Sequence, residues 1–443
     1  MEEKYLNETR SLINFISRSP SCFHAVDNIK RALVKNGFTE LKESDEWEIQ
    51  NGGKYFVTRN LSSIISFVIP NDDFSGIMIC ASHSDSPSFK IKTNPRIEAE
   101  GCYTKLNIEK YGGMALESWL DRPLSAAGRV IVDTGNGAQV RLVNIDRDLC
   151  VIPSLAVHMK NAQDKDGSLN PQLDMLPLIG GADINEGFER LIADAAGTEP
   201  EKIIGSDMFL YNREKGTVWG VNDEFFSSPK IDDLQCVYAS VKAFLEAENS
   251  KSIIMNAVFD NEEVGSGTKQ GAKSTFLSDT LERITEALGK TPSQLKRALA
   301  SGMMLSADNG HAVHPNKPVK ADPTNRPKPN GGVVIKYNAN QRYTTDAVSE
   351  AILRKILRKN NIPCQEYVNR SDIPGGSTLG NLSNERVSLN TADIGAAQLA
   401  MHSCYESGGS ADTLILINAM RAFFSSSIER IGDGDYRLNR LSH

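Results

Sequence analysis

Four times along this chain an apolar, strand-like run ends in side chains able to ligate a metal. "GIMICASHSD" closes on His83 and Asp85, and "SIIMNAVFDNEEVGSG" on Asp260, Glu262 and Glu263. "GMMLSADNGHAVHP" closes on Asp308, with His311 and His314 beyond it, and "AAQLAMHS" closes on His402. Runs of this kind belong in the interior of a sheet. Helical patterns alternate with them. "AVDNIKRALVKNG" sets Val26, Ile29 and Leu33 on one face and ends at Gly37 as a C-cap. "LQCVYASVKAFLEAENS", "DAVSEAILRKILRKNN" and "ADTLILINAMRAFF" follow, and "TPSQLKRALASG" opens with a Thr291–Gln294 capping box and Pro292 at the first helical position. Strands alternating with helices predict an α/β fold with a mostly parallel sheet flanked by helices. Such folds bind ligands beyond the carboxyl ends of their strands.

Residues 92–228 differ in character. Short β-like runs such as "GRVIVDT" and "AQVRLVNI" are separated by polar breaks, with a long polar loop, "KNAQDKDGSLNPQ". The pattern predicts an inserted β-rich domain at 92–228, with 1–91 and 229–443 forming one discontinuous catalytic domain. The 49 basic and 56 acidic residues leave a net charge of −7, which disfavours nucleic acid or an anionic membrane as partner. No apolar run is long enough to span a bilayer, and the charged start, "MEEKYLNETR", lacks the apolar core of a secretory signal. Seven scattered cysteines with no CxxC fit reduced thiols in a cytoplasmic protein. There is no G-x-S-x-G, no HExxH and no P-loop, since "GSGTKQG" lacks its pattern.

The strand ends carry the chemistry. In extended chain, residues i and i+2 share a face, so Asp85 can hold the second ring nitrogen of His83, as partners of ligating histidines do. Adjacent side chains point apart. One glutamate of the Glu262–Glu263 pair can then bind a metal while the other faces water as general base. "SPKIDDLQ" places Asp232 and Asp233 at a helix start, where one caps and the other ligates; the residues alone leave the assignment open. Asp308 begins "DNG", a turn signal. His311 and His314 read as loop residues, because Pro315 argues against a helix there.

Taken in order, "HSD", "PKIDDL", "DNEEVGS", "SADNGHAVHP" and "LAMHS" resemble the aspartyl aminopeptidase family of dinuclear zinc exopeptidases. The likeness runs along nearly the whole chain, through "SPSCFHAV", "WLDRPLSAAGRV", "IPSLAVHM", "NQRYTTDAVSEAILR", "DIPGGSTLG" and "DIGAAQLAMHS". The resemblance implies two divalent ions per subunit, zinc by default, with manganese or cobalt also suited to an oxygen-rich shell. It assigns His83 and Asp308 to one ion, Glu263 and His402 to the other, and Asp232 to a bridge between them. Glu262 becomes the general base and acid, and Asp85 the residue that orients His83. It further implies peptide substrates with a free N-terminus and a preference for N-terminal Asp or Glu, with Lys336 matching the cationic specificity residue. It implies self-association into a dodecamer built from dimers, with the insertion mediating the dimer and His158 reaching a neighbouring active site. Ser154, where many members carry a second histidine, and Asp233, where many carry Asn, depart from the family pattern. Two alternatives stand beside this reading: a dinuclear zinc aminopeptidase of broad or neutral specificity, and an inactive shell that uses the same architecture for assembly and binding.

Overall fold

The computed structural model describes residues 1–160, 168–182, 184 and 187–440. Part of the polar loop "KNAQDKDGSLNPQ", residues 161–167, lies outside the described residues. The main sheet has nine strands, in the order Thr39–Leu41, Lys54–Arg59, Ser63–Val68, Ser252–Phe259, Gly76–His83, Met303–Ala307, Asn390–Gly395, Val333–Tyr337 and Cys364–Val368. Its centre is parallel, from Ser252–Phe259 through Gly76–His83 and Met303–Ala307 to Asn390–Gly395. Antiparallel pairs enter towards the flanks, for example Val333–Tyr337 against Asn390–Gly395.

The central strands are apolar because both faces are covered. Met78 and Cys80 pack into one core with Ile29, Val237, Phe244 and Phe423, beneath the helices Cys22–Lys35, Ile231–Glu246 and Asp412–Phe424. Their neighbours Ile77 and Ile79 pack on the opposite face with Leu281, Ile284 and Leu295, from the helices Phe276–Ala287 and Pro292–Ala300. The period of two along each strand supplies both layers. The Thr291 capping box forms as the sequence predicts, its hydroxyl accepting from the Gln294 N–H and Gln294 Oε1 accepting from the Thr291 N–H.

A second sheet of six antiparallel strands takes Ala138–Asn144, Leu124–Asp133, Ile203–Asn212, Ser88–Ala99, Tyr103–Tyr111 and Leu178–Gly181. It has its own core around Phe89, Leu106, Trp119, Val130 and Met208, to which the helix Gly187–Ala196 contributes Phe188 and Ile192. Sequence patterning did not single out that helix. A third sheet joins Thr217–Trp219, Phe225–Ser228, Glu406–Gly409, Ala397–Leu399 and Gly310–His311. The "AAQLAMHS" run therefore does not carry one strand to its end: the main-sheet strand stops at Gly395, Ala397–Leu399 joins the third sheet, and a turn follows.

Candidate metal centre

The parallel register sets the strand ends level. Phe259 pairs with His83, so the turn after Phe259 begins beside the imidazole. Asn261 takes a left-handed conformation (φ 61°), and Glu262–Val264 forms a single 3-10 turn that carries the two glutamates. Asp308 leaves the end of Met303–Ala307, its N–H held by the Ile394 carbonyl at 2.9 Å. Asp232 and Asp233 precede the regular part of their helix, and both have non-helical backbone angles. Neither caps it with a side-chain hydrogen bond; Asp233 Oδ2 instead accepts from the His83 N–H at 3.2 Å. His402 sits in the turn after Leu399, itself left-handed at φ 64°.

These segments converge. His83 Nε2 lies 3.4 Å from Asp232 Oδ1, and His402 Nε2 lies 3.5 Å from Asp232 Oδ2 and 3.4 Å from Glu263 Oε2. Ligand atoms of His83, Asp232, Asp233 and Asp308 gather within 4.8 Å of one another, as do those of His83, Glu262 and Glu263, and those of Asp232, Glu263 and His402. Asp85 stands behind them. Its Oδ1 accepts from the Glu262 N–H at 3.2 Å and lies 3.4 Å from His83 Nδ1, while its Oδ2 accepts from the Glu263 N–H at 3.2 Å and the Tyr111 hydroxyl at 2.7 Å. The backbone carbonyl of Asp85 is also 3.1 Å from His83 Nδ1, so Asp85 faces that ring nitrogen with two oxygens.

Crowding of buried carboxylates sets the electrostatics. Burial, with Asp308, Asp85 and Asp232 close by, pushes Glu262 up to about 8 despite the opposing pull of His83. Burial and the neighbouring carboxylates likewise hold Glu263 well above the usual range. For Asp232 burial acts upward but is outweighed by the attraction of the nearby His402 and His83 rings, so its carboxyl falls below the usual range. The residues fit a divalent cation. Asp232 Oδ1, Asp233 Oδ1 and Glu263 Oε1 are buried and have no hydrogen-bond partner among the described residues. Buried carboxylate oxygens need such compensation, and a set of imidazoles and carboxylates is the donor chemistry of zinc and of harder divalent ions.

The two expected substrate residues differ in placement: Lys336 contacts the cluster through Asp308, and His158 lies on the surface. Lys336 is 1% exposed, and its Nζ donates to the Asp308 carbonyl at 2.7 Å, 3.4 Å from Asp308 Oδ2, beneath the Tyr343 ring. It is a buried lysine turned onto a strand end, not a surface one. His158 stands exposed in the turn Val157–Met159, next to exposed Val157 and Met159. Ser154, at the departure from the family pattern, donates its N–H to Asp121 at 2.9 Å. Sequence reasoning missed Tyr111, which also accepts from Asn261 at 2.8 Å, and Gly112, which passes directly over Glu263. The pair "GG" at 112–113 was the available signal, marking a close backbone approach.

A mixed sheet that gathers imidazoles and carboxylates at its strand mouth, with unpartnered oxygens turned together, has the donor set of a metal-dependent enzyme. Residues 15–424 match the family model of the aminopeptidase I zinc metalloproteases (M18). The chain is 46% identical over 431 residues to a probable M18 family aminopeptidase 2 of Clostridium acetobutylicum, covering 95% of this chain and 99% of the relative. It is 36% identical over 448 residues to aspartyl aminopeptidase 1 of Schizosaccharomyces pombe, covering 94% of each. Among solved structures, the Ape4 chain of a complex with Nbr1 superposes with a TM-score of 0.92 at 34% identity, over 96% of this chain and 87% of that one. The dodecamer of mApe1 from S. cerevisiae gives 0.84 at 28% identity, over 95% and 97%. The protein belongs to the M18 aminopeptidase family and is a metal-dependent peptidase.

Proposed function

We propose that this aminopeptidase removes acidic N-terminal residues from peptides, using two divalent ions held by His83, Asp232, Glu263, Asp308 and His402. The observation that carries the reading is the division of Asp232: one carboxylate oxygen faces His83 and the other faces His402. A carboxylate so divided suits a bridge between two ions, with Asp308 beside His83 and Glu263 beside His402. Bound ions would supply Lewis-acid polarisation of the scissile carbonyl and acidify the attacking water. Glu262 then takes the proton from that water and returns it to the leaving amine. Asp85 holds the Glu262–Glu263 turn and the His83 ring in place, so the base and both ligands keep their spacing as the proton moves.

Acidic specificity rests on Lys336 and on the name of the S. pombe relative. A substrate carboxylate would replace the Asp308 carbonyl as the partner of Nζ. A neutral preference is the second reading, favoured by the hydrogen bonds that already occupy Lys336. Aspartyl, glutamyl and leucyl substrates assayed with wild type and Lys336→Ala decide between them. The acidic reading expects a selective loss of kcat/KM for the first two; an unchanged ratio overturns it.

The inserted dimerisation domain, expected at 92–228, centres on the second sheet, whose strands run from Ser88 to Asn212, while Thr217–Trp219 and Phe225–Ser228 join the third sheet beside Glu406–Gly409; the exposed turn that carries Val157, His158 and Met159 is its reach towards a neighbouring site. The mApe1 relative forms a dodecamer, which supports the same assembly from dimers here. Seven free cysteines support a reducing cytoplasm, and no helix among the described residues is long and apolar enough to cross a membrane.

A further inference from the structure

Glu406 is the first residue of the strand Glu406–Gly409 and is 1% exposed. That strand lies between Phe225–Ser228 and Ala397–Leu399 in the third sheet, and Glu406 pairs with Ser228. The first neighbour runs on through Pro229 into Asp232, and the second runs on through the turn into His402. Glu406 therefore stands between the two chain segments that deliver these residues. Its Oε2 accepts from the Asp232 backbone N–H at 3.0 Å, and its Oε1 accepts from the His402 backbone N–H at 2.7 Å. Gln398 Nε2 adds a third N–H donor at 3.3 Å.

The His402 side needs such a tie. Ala400 and His402 both hold left-handed angles, φ 55° and 64°, which residues with a Cβ adopt at a cost. A buried side chain that accepts from two backbone N–H groups fixes the separation of the residues that carry them. Asp85 holds the Glu262–Glu263 turn in the same manner, through two backbone N–H groups.

We propose that Glu406 is the positioning residue for the His402 half of the metal centre, tying His402 and bridging Asp232 at a fixed separation before an ion arrives. The inference rests on the dinuclear reading above. It places Glu406 behind the ligands, neither on an ion nor on substrate. Pre-organised backing of this kind sets metal affinity by holding ligands in the bound geometry.

The test is Glu406→Gln in the full-length, zinc-loaded protein. The amide keeps the length of the side chain but turns an NH2 donor towards one of two N–H donors, so one tie is lost. Ions per chain are counted by elemental mass spectrometry after dialysis against a graded series of chelator. Wild type should keep two ions, and the variant should release one of them on the order of 10- to 100-fold more readily. The other ion should stay as in wild type, with the melting temperature of the metal-free protein lowered only by the few degrees that one lost buried hydrogen bond costs. Two ions held as tightly as in wild type overturn the proposal. So does equal loss of both with a larger fall in the metal-free melting temperature, which marks a general structural role.

Should the variant fail to fold, amide hydrogen exchange on metal-free wild type gives the answer. The Asp232 and His402 amides protected like the central strand Gly76–His83 support pre-organisation, and exchange at the rate of an open loop overturns it. Fewer than two ions on wild type defeats the dinuclear reading itself, a result distinct from failure of Glu406 alone.

Discussion

Glu262 and Glu263 are chemically identical neighbours, and only their surroundings separate them. Glu263 Oε2 is 3.4 Å from the His402 ring and its other oxygen lacks a hydrogen-bond partner, the condition of a ligand. Glu262 sits among Asp308, Asp85 and Asp232, where burial and their charges push its carboxyl up to about 8. Divalent charge in the site reverses that pressure, because a nearby cation favours the ionised form. On the proposed mechanism Glu262 is then a base when the site is loaded and a protonated acid when it is not. Glu262→Gln should keep the metal content of wild type and lower kcat by about 100- to 10,000-fold, the usual worth of a general base. Elemental analysis beside steady-state kinetics checks both halves, and a variant that loses its metal as well would return Glu262 to the ligand set.

At the scale of elements, the second sheet reaches into the site through the end of its strand Tyr103–Tyr111. The Tyr111 hydroxyl ties Asp85 to Asn261, Gly112 passes over Glu263, and the Ala115 N–H donates to the His402 carbonyl at 3.1 Å. Gly112 has φ 76°, and a Cβ there would stand 3.0 Å from Glu263 Cβ. Gly112→Ala should therefore cost about 1–3 kcal/mol of backbone strain and displace Glu263. Denaturant unfolding should show the first effect, and weakened metal retention the second. This junction marks the limit of what the sequence disclosed. His83, Asp308 and the two glutamates were legible because buried parallel strands are uniformly apolar, so the first polar residues after them mark the strand mouth. Asp232 was legible as a pair with Asp233, but not which of the two turned towards the imidazoles, since that depends on backbone angles at a helix start. Tyr111 and Glu406 were hidden, because each acts on groups brought near only by strand pairing over more than one sheet: Tyr111 on the Asp85 and Asn261 side chains, Glu406 on backbone N–H groups. The contact of Lys336 was hidden for a related reason: a lysine in "VVIKYN" shows its burial only when the Asp308 carbonyl beside it is known.

For the molecule as a whole, a fold that buries this many carboxylates before any cation binds must depend on pH in a definite direction. Burial raises Glu262 and Glu406 to about 8, and Asp260 and Asp412 to about 7. Each exceeds its ordinary value, 4.5 for the glutamates and 3.8 for the aspartates, so the folded chain binds these protons more tightly than the unfolded one. Their stabilisation is complete below those ordinary values and is lost as pH rises through about 7 to 8. Asp232 has the opposite sign, but its contribution falls away only below its ordinary value of 3.8, outside this window. Metal binding runs the other way, because ligands must give up their protons to hold an ion, and binding to the folded state alone adds stability. The melting temperature of the metal-free protein should therefore fall between about pH 5 and pH 8, while the increment added by saturating zinc should grow over the same range. Calorimetry of both forms across that range tests the pair of slopes together. A metal-free melting temperature that rises with pH would mean that these carboxyls are solvated in solution, and the closed strand mouth on which the site depends would have to be abandoned.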